Sequence, residues 1–148
     1  MIIPINWLSD YLDLPEDEQK IADSFTSLGL MQEKSIKDHV LELEHRMDRA
    51  DWLSLIGCAR DLAAFSGVKL ITPKLTSNSP KPVPANDKIA LSVETPTVRR
   101  FNTRVIKGIK VGPSPDWLLK KLEAYGIDSI NNIVDITNYV LMECGQPL

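Results

Sequence analysis

Five of the ten prolines in this 148-residue chain fall between residues 73 and 96, and that crowding limits the fold more than any other feature. Proline lacks the amide N–H and fixes φ, so a helix interior or a central strand cannot absorb several of them. Interspersed with Ser, Asn and Thr, the stretch reads as a linker around one short alternating strand at Ile89, Leu91 and Val93. Regular structure is therefore expected before residue 73 and after residue 96. A chain of this length holds one compact domain or two small ones.

Ahead of the linker, residues 1–38 open with an apolar stretch, Met1 to Ile5. Asn6 stands where an N-cap belongs, before Trp7, Leu8, Tyr11 and Leu12 at helical spacing. Pro15 and the acidic run Glu16-Asp17-Glu18 suit the first turn of a second helix, whose apolar face is Ile21, Ala22, Phe25 and Leu28. Gly29 follows as its C′ residue, with Leu30 able to fold back on the last turn. Residues 39–72 then supply a strand, Val40 to Leu43, and an amphipathic helix. Trp52, Leu55, Ile56, Ala59, Leu62 and Ala63 mark the inner face of that helix, with Asp48 or Asp51 as its cap and Gly67 as its end.

Beyond the linker, Phe101 to Val111 reads as a strand broken by Gly112-Pro113. Ser114-Pro115 gives an N-cap followed by proline at the first helical position. Trp117, Leu118, Leu122 and Tyr125 form the buried face of this helix, and Gly126 closes it. Ser129-Ile-Asn-Asn132 leads into a last helix over Ile133–Glu143 despite its β-branched residues. The chain stops at Gly145-Gln-Pro-Leu148 without a closing element, which reads as a fragment. The resulting class is α+β.

Charge and composition exclude more than they assign. Apolar residues make up 43% and charged ones 25%, ordinary for a globular protein and against disorder. No apolar run approaches the ~20 residues that cross a bilayer, and the start lacks a signal-peptide pattern. Net charge is −3, so bulk electrostatic binding of nucleic acid is not expected. The charge is uneven: residues 1–38 carry three Lys against eight Asp/Glu, and residues 96–148 carry seven Lys/Arg against five. Any RNA contact is expected in the C-terminal third.

Candidate chemistry is sparse. The seven glycines are scattered singly, so no phosphate loop exists. His39 and His45 flank Glu42 and Glu44, and this cluster reads as an exposed polar face rather than a metal site. Cys58 and Cys144 lack ligand spacing and sit in apolar helical patterns, so both are expected as buried free thiols in a reducing cytosol. The one physical oddity is the last helix. Asp135, Thr137 and Asn138 interrupt Ile133, Val134, Ile136, Tyr139, Val140 and Leu141, and polar groups there need hydrogen-bond partners or a solvated pocket. Asn131, Asn132 and Asp135 can be read as capping the helix start; Thr137 and Asn138 lie deeper.

The residues that carry a family resemblance lie mostly in this third. Arg104-Val-Ile-Lys-Gly-Ile-Lys-Val-Gly-Pro-Ser-Pro-Asp-Trp-Leu118, Ser129-Ile-Asn-Asn-Ile-Val-Asp-Ile-Thr-Asn-Tyr-Val140 and Gly145-Gln-Pro-Leu148 resemble the β chain of bacterial phenylalanyl-tRNA synthetase, at the start of its B3/B4 editing module. Asn6-Trp-Leu…Tyr11-Leu and Thr26-Ser-Leu-Gly-Leu30 resemble that family's N-terminal domain. Arg49-Ala-Asp-Trp-Leu-Ser-Leu-Ile-Gly-Cys-Ala-Arg60 resembles its "NRPDCLSMLGIARE" helix. The departures are specific. Lys34 runs to Val40 with no room for the oligonucleotide-binding-fold domain usual in bacterial β chains. "CPRY" becomes Val98-Arg99-Arg100-Phe101, "NRPD" becomes Asp48-Arg49-Ala50-Asp51, and the chain ends before the "HAFD" that follows "GQPL" in the family.

The resemblance implies a small N-terminal α/β unit (residues 1–38), a strand plus helix (39–72), the linker (73–96) and an incomplete mixed-sheet B3/B4-type domain (97–148). It implies a cytoplasmic (αβ)₂ heterotetramer in which a catalytic α subunit charges tRNA(Phe) using ATP and Mg²⁺, while the B3/B4 module hydrolyses mischarged Tyr-tRNA(Phe). The expected partners are the α subunit and tRNA(Phe), not DNA or a membrane. Thr137 and Asn138 match editing-pocket positions; no catalytic residue is assigned, and no cofactor or metal is expected on this piece. By itself the piece is expected to be inactive. The alternative class is a freestanding tRNA- or protein-binding module without catalysis.

Overall fold

A computed structural model describes residues 1–44, 46–73, 90, 92–99, 101–103 and 105–148. The fold is α+β, and contacts divide the chain into two compact units: Met1–Pro73 together with Val111–Leu148, and Lys74–Lys110.

In the first unit, β1 (Ile2–Pro4) pairs antiparallel with β2 (Val40–Glu42), with Ile3 opposite Leu41. Residues 1–38 and 39–72 thus share one two-stranded sheet. Leu43 N–H extends the pairing to the Met1 carbonyl at 2.8 Å. The return to β2 is a tight turn closed by mutual backbone bonds between Lys37 and Val40. Its central residues, Asp38 and His39, both have positive φ (51° and 61°), the geometry of a type I′ turn, which suits the twist of paired strands.

Helix α1 (Ile5–Leu8) starts directly off β1, since Ile5 N–H reaches the His39 carbonyl at 2.9 Å. Asn6 therefore lies inside the single turn and Pro4 is the cap position, a correction to the expected N-cap. Tyr11 and Leu12 are buried just beyond the helix. Helix α2 (Glu18–Leu28) is capped by Asp17, whose carboxylate accepts from Gln19 N–H, so Pro15 and Glu16 precede the helix instead of opening it. It ends as expected: Gly29 takes φ 97°, and Leu30 N–H returns to the Phe25 carbonyl while its side chain is buried.

A 3₁₀ turn (Ala50–Leu53) precedes α3 (Leu55–Ser66). The cap of α3 is Ser54, not Asp48 or Asp51, and its hydroxyl accepts from Gly57 N–H at 3.0 Å. Both aspartates are held elsewhere, Asp48 by two bonds from Arg46 and Asp51 by two from Arg49. Leu55, Ala59, Leu62 and Ala63 enter the core with Trp52, Trp7, Leu8, Ile21, Phe25 and Leu41; Ile56 is only partly buried.

Helices α4 (Asp116–Tyr125) and α5 (Asn132–Cys144) pack on this same core, α4 against β1 and α5 against α3. Pro115 is the cap of α4, its carbonyl accepting from Leu118 and Leu119 N–H. Ser114 does not cap, because its hydroxyl donates to Asp135. Leu118 and Leu122, four residues apart, form the buried stripe of α4, while Trp117 lies off that stripe and is 54% exposed, against expectation.

Within the second unit the described residues form neither helix nor strand. The strand expected over Phe101–Val111 is absent from the described residues there: no described segment pairs with it, and Phe101, Val105, Ile106 and Ile109 are exposed. Ile89 and Leu91 of the expected linker strand lie outside the described residues, as do Arg100, Arg104 and His45; Val93 is not in a strand.

Candidate functional site

Helix α5 carries the polar residues that the sequence singles out, and their environments differ. Asn131 caps the helix, its side-chain oxygen accepting from Ile133 and Val134 N–H at 3.0 and 3.1 Å. Asn132 exchanges bonds with Gly112: the Asn132 N–H donates to the Gly112 carbonyl at 2.8 Å and its side-chain oxygen accepts from Gly112 N–H at 3.1 Å.

Asp135 does not cap. It is 0% exposed, the one buried residue of α5, and one of its oxygens accepts from the Ser114 and Ser129 hydroxyls, both at 2.5 Å. The other accepts from Ile130 N–H at 3.0 Å. Burial pushes the Asp135 carboxyl up, but the Ser114, Ser129, Ile130 and Asn131 donors outweigh it and hold the group below its ordinary value. The pre-α4 loop, the α4–α5 loop and α5 all meet at this carboxylate.

Thr137 and Asn138 are both half-buried. The Thr137 hydroxyl donates back to the Val134 carbonyl at 2.7 Å, a local bond that needs no outside partner. Among the described residues no hydrogen bond engages the Asn138 amide. Consecutive helix residues point about 100° apart, so these two side chains occupy adjoining sectors of α5. Thr137 shares the side opposite Asp135 with Ile133, Ile136 and Val140, and Ile136 is 48% exposed. Neither of two surface hollows involves α5. One, of about 520 Å³, is polar and lies beside Gln19, Gln32 and Lys34. The other, of about 370 Å³, is lined by Leu12, Leu14, Ile21, Leu62 and Val68.

On its inner side α5 is fixed by a cluster that the sequence reading did not foresee. Tyr139 stacks on Trp7 with ring centroids 4.9 Å apart, and Trp117 meets Tyr139 edge-on at 5.5 Å. Glu143 accepts from the Tyr11 hydroxyl and, on the same oxygen, from the Tyr139 hydroxyl at 2.8 Å. Lys121 of α4 lies over the Trp7 and Tyr139 rings and pairs with Asp10. Burial and the Glu143 carboxylate raise both the Tyr11 and Tyr139 phenols. The available signal was slight: Glu143 follows Tyr139 by four residues, a facing pair on a helix.

The remaining candidates separate. His39 is exposed and bonds Glu18 of α2 at 2.5 Å, with no role for Glu44. Among the described residues no three His, Cys, Asp or Glu side chains converge as metal ligands. Cys58 is buried; Cys144 is exposed, contrary to expectation, at the last residue of α5. No described helix is long and apolar enough to cross a membrane.

Comparison with known proteins bears on these residues directly. The B3/4 domain model matches residues 97–148. The phenylalanine–tRNA ligase β subunit of Rhodopirellula baltica is 41% identical over 152 residues, covering 100% of this chain and 22% of the relative. That of Geobacter sulfurreducens is 44% identical over 137 residues, 91% of the chain and 16% of the relative. That of Synechocystis is 46% identical over 115 residues, 76% of the chain and 14% of the relative. The chain thus spans about a fifth of the length of the curated relatives it matches. Because 152 aligned positions hold all 148 residues, the Rhodopirellula relative has no domain-sized insertion between Lys34 and Val40 either.

Proposed function

Since the chain belongs to the family of phenylalanine–tRNA ligase β subunits, we propose that it acts as part of such a subunit, supporting tRNA(Phe) charging by an α subunit and contributing one wall of a site that hydrolyses Tyr-tRNA(Phe). The observation that carries this reading is the identity to β subunits along the whole chain, with the B3/4 match falling on α5 and its polar residues. Charging uses ATP and Mg²⁺, and the sequence carries no glycine-rich phosphate loop for them. That step is assigned to the α subunit.

Editing has a physical rationale. An apolar pocket rejects a ligand that merely adds a hydroxyl by only about 10²-fold, so a second site that hydrogen-bonds the phenol improves discrimination. Asn138 offers a donor and an acceptor that no described residue uses, which suits a neutral polar ligand. Thr137 forms the adjoining wall. The roles of these two residues are binding and orientation; the water-activating group lies outside the residues assigned.

The test measures release of labelled tyrosine from mischarged tRNA(Phe) by the assembled β-subunit enzyme. Asn138→Ala slows release while phenylalanine charging is unchanged, the loss corresponding to about 0.5–1.5 kcal/mol for one hydrogen bond. Unaltered release would make Asn138 a structural amide. The 148-residue chain alone forms no phenylalanyl-adenylate and releases no tyrosine; either activity would refute the assignment.

A further inference from the structure

We infer that Asp135 is a positioning residue for the editing wall: it sets the rotation of α5 and so decides where Thr137 and Asn138 point. The inference rests on the reading of α5 given above and adds a residue to it.

Most helices are set in rotation by buried apolar side chains interlocking with their neighbours. Helix α5 is unusual, because none of its apolar residues is fully buried. Its contacts with the core lie in its second half and are made by partly buried side chains: Tyr139 stacked on Trp7, Met142, and Glu143 taking the Tyr11 hydroxyl. The one side chain wholly removed from solvent is Asp135, and it is held from three directions by two hydroxyls and a backbone N–H. A hydrogen bond tolerates little misalignment, so three converging on one carboxylate fix an orientation more sharply than partial apolar contact does. The Gly112–Asn132 exchange pins the adjoining turn to the same loop. Thr137 lies about 200° around the helix from Asp135 and Asn138 about 300°, so a small rotation at the anchor swings both. No hydrogen bond joins the anchor to Asn138, so its effect passes through the helix.

A double-mutant cycle in the assembled β-subunit enzyme separates positioning from simple stabilisation. Asp135→Asn keeps the side chain's size and one acceptor but removes the charge. It is expected to lower kcat/KM for Tyr-tRNA(Phe) deacylation about tenfold, as displacement of positioning groups does, with phenylalanine charging unchanged. In the Asn138→Ala background most of that loss disappears, since Asn138 is no longer there to misplace. Ser129→Ala, which leaves the carboxylate and removes one donor, gives a smaller loss of the same kind. Additive losses, or an equal fall in charging, would overturn the inference. A second readout does not depend on editing: with Cys144→Ser in place, Thr137→Cys is alkylated at a rate that changes on adding Asp135→Asn. An unchanged rate would overturn positioning. A changed rate together with full deacylation by Asn138→Ala would uphold positioning and remove the editing reading.

Discussion

The two cysteines occupy opposite chemical situations, and this makes them reporters of folding. Cys58 is fully buried, its thiol donating to the Trp52 carbonyl at 3.3 Å. Burial, aided by the Asp61 and Asp51 carboxylates, pushes its pKa up to about 12. The thiolate is the reactive form, so Cys58 is inert at neutral pH. Cys144 is exposed, although burial and Glu143 also raise its thiol. Alkylation at pH 8 should modify Cys144 and spare Cys58 until urea unfolds the chain; equal labelling rates in the native state would contradict the core described here. Leu55 and Leu62 are 0% and 2% exposed, and replacing either by Ala should cost about 2–5 kcal/mol in urea denaturation. Ile56→Ala should cost less, because Ile56 is only partly buried. Periodicity could find Leu55, Ala59 and Leu62, since a 3.6-residue repeat reports which side faces inward. It could not distinguish Cys58 from Cys144, because both sit within apolar helical patterns and only tertiary packing covers one.

At the level of elements, the elbow between the 3₁₀ turn and α3 leaves no room for a side chain at Gly57. A Cβ at Gly57 would lie 1.8 Å from the Asp51 carbonyl oxygen and 2.9 Å from the Ser54 hydroxyl. Gly57→Ala must therefore displace main chain, and should cost roughly 3 kcal/mol or more. Ser54→Ala removes only the cap, for about 1 kcal/mol. If thermal unfolding ranked these two the other way, the elbow would be looser than its geometry implies. Helix spans and C-terminal glycines were legible because they depend on local pattern and on backbone conformation at single residues. The caps were harder. Asn6, Asp48, Asp51 and Ser114 each have the chemistry of a cap, but a strand exit, Arg46, Arg49 and Asp135 respectively determine their roles. A cap signal names a residue type, whereas its partner is chosen by distant chain.

The whole first unit is joined through contacts between the chain's two ends, which no local pattern can forecast. Tyr11 and Glu143 are 132 residues apart, and Lys121 and Asp10 are 111 apart. The polar interruption of α5 was visible in the sequence, but the Trp7–Tyr139 stack and the shared Glu143 oxygen arise only from folding. This joint carries a pH signature. Burial, with Glu143 second, holds the Tyr11 phenol above its ordinary value, and Tyr139 likewise. Both groups bind their protons more tightly when folded, so their contribution is fully present below the unfolded phenol pKa of about 10. It is lost as pH rises above that value toward the folded pKa, because the unfolded chain ionises first. Stability should therefore be level from neutrality to about pH 9 on account of these groups, then fall steeply. Tyr11→Phe removes a hydrogen bond to a carboxylate, worth about 1.5–3 kcal/mol at pH 8. In the variant one raised phenol is gone, so its decline above pH 10 should be shallower and the gap to the parent should narrow by pH 11. Urea denaturation at pH 8 and pH 11 measures both gaps. A gap that stays constant would mean that Tyr11 ionises as freely in the folded chain as in the unfolded one, and that the Tyr11–Glu143 bond does not join the two ends.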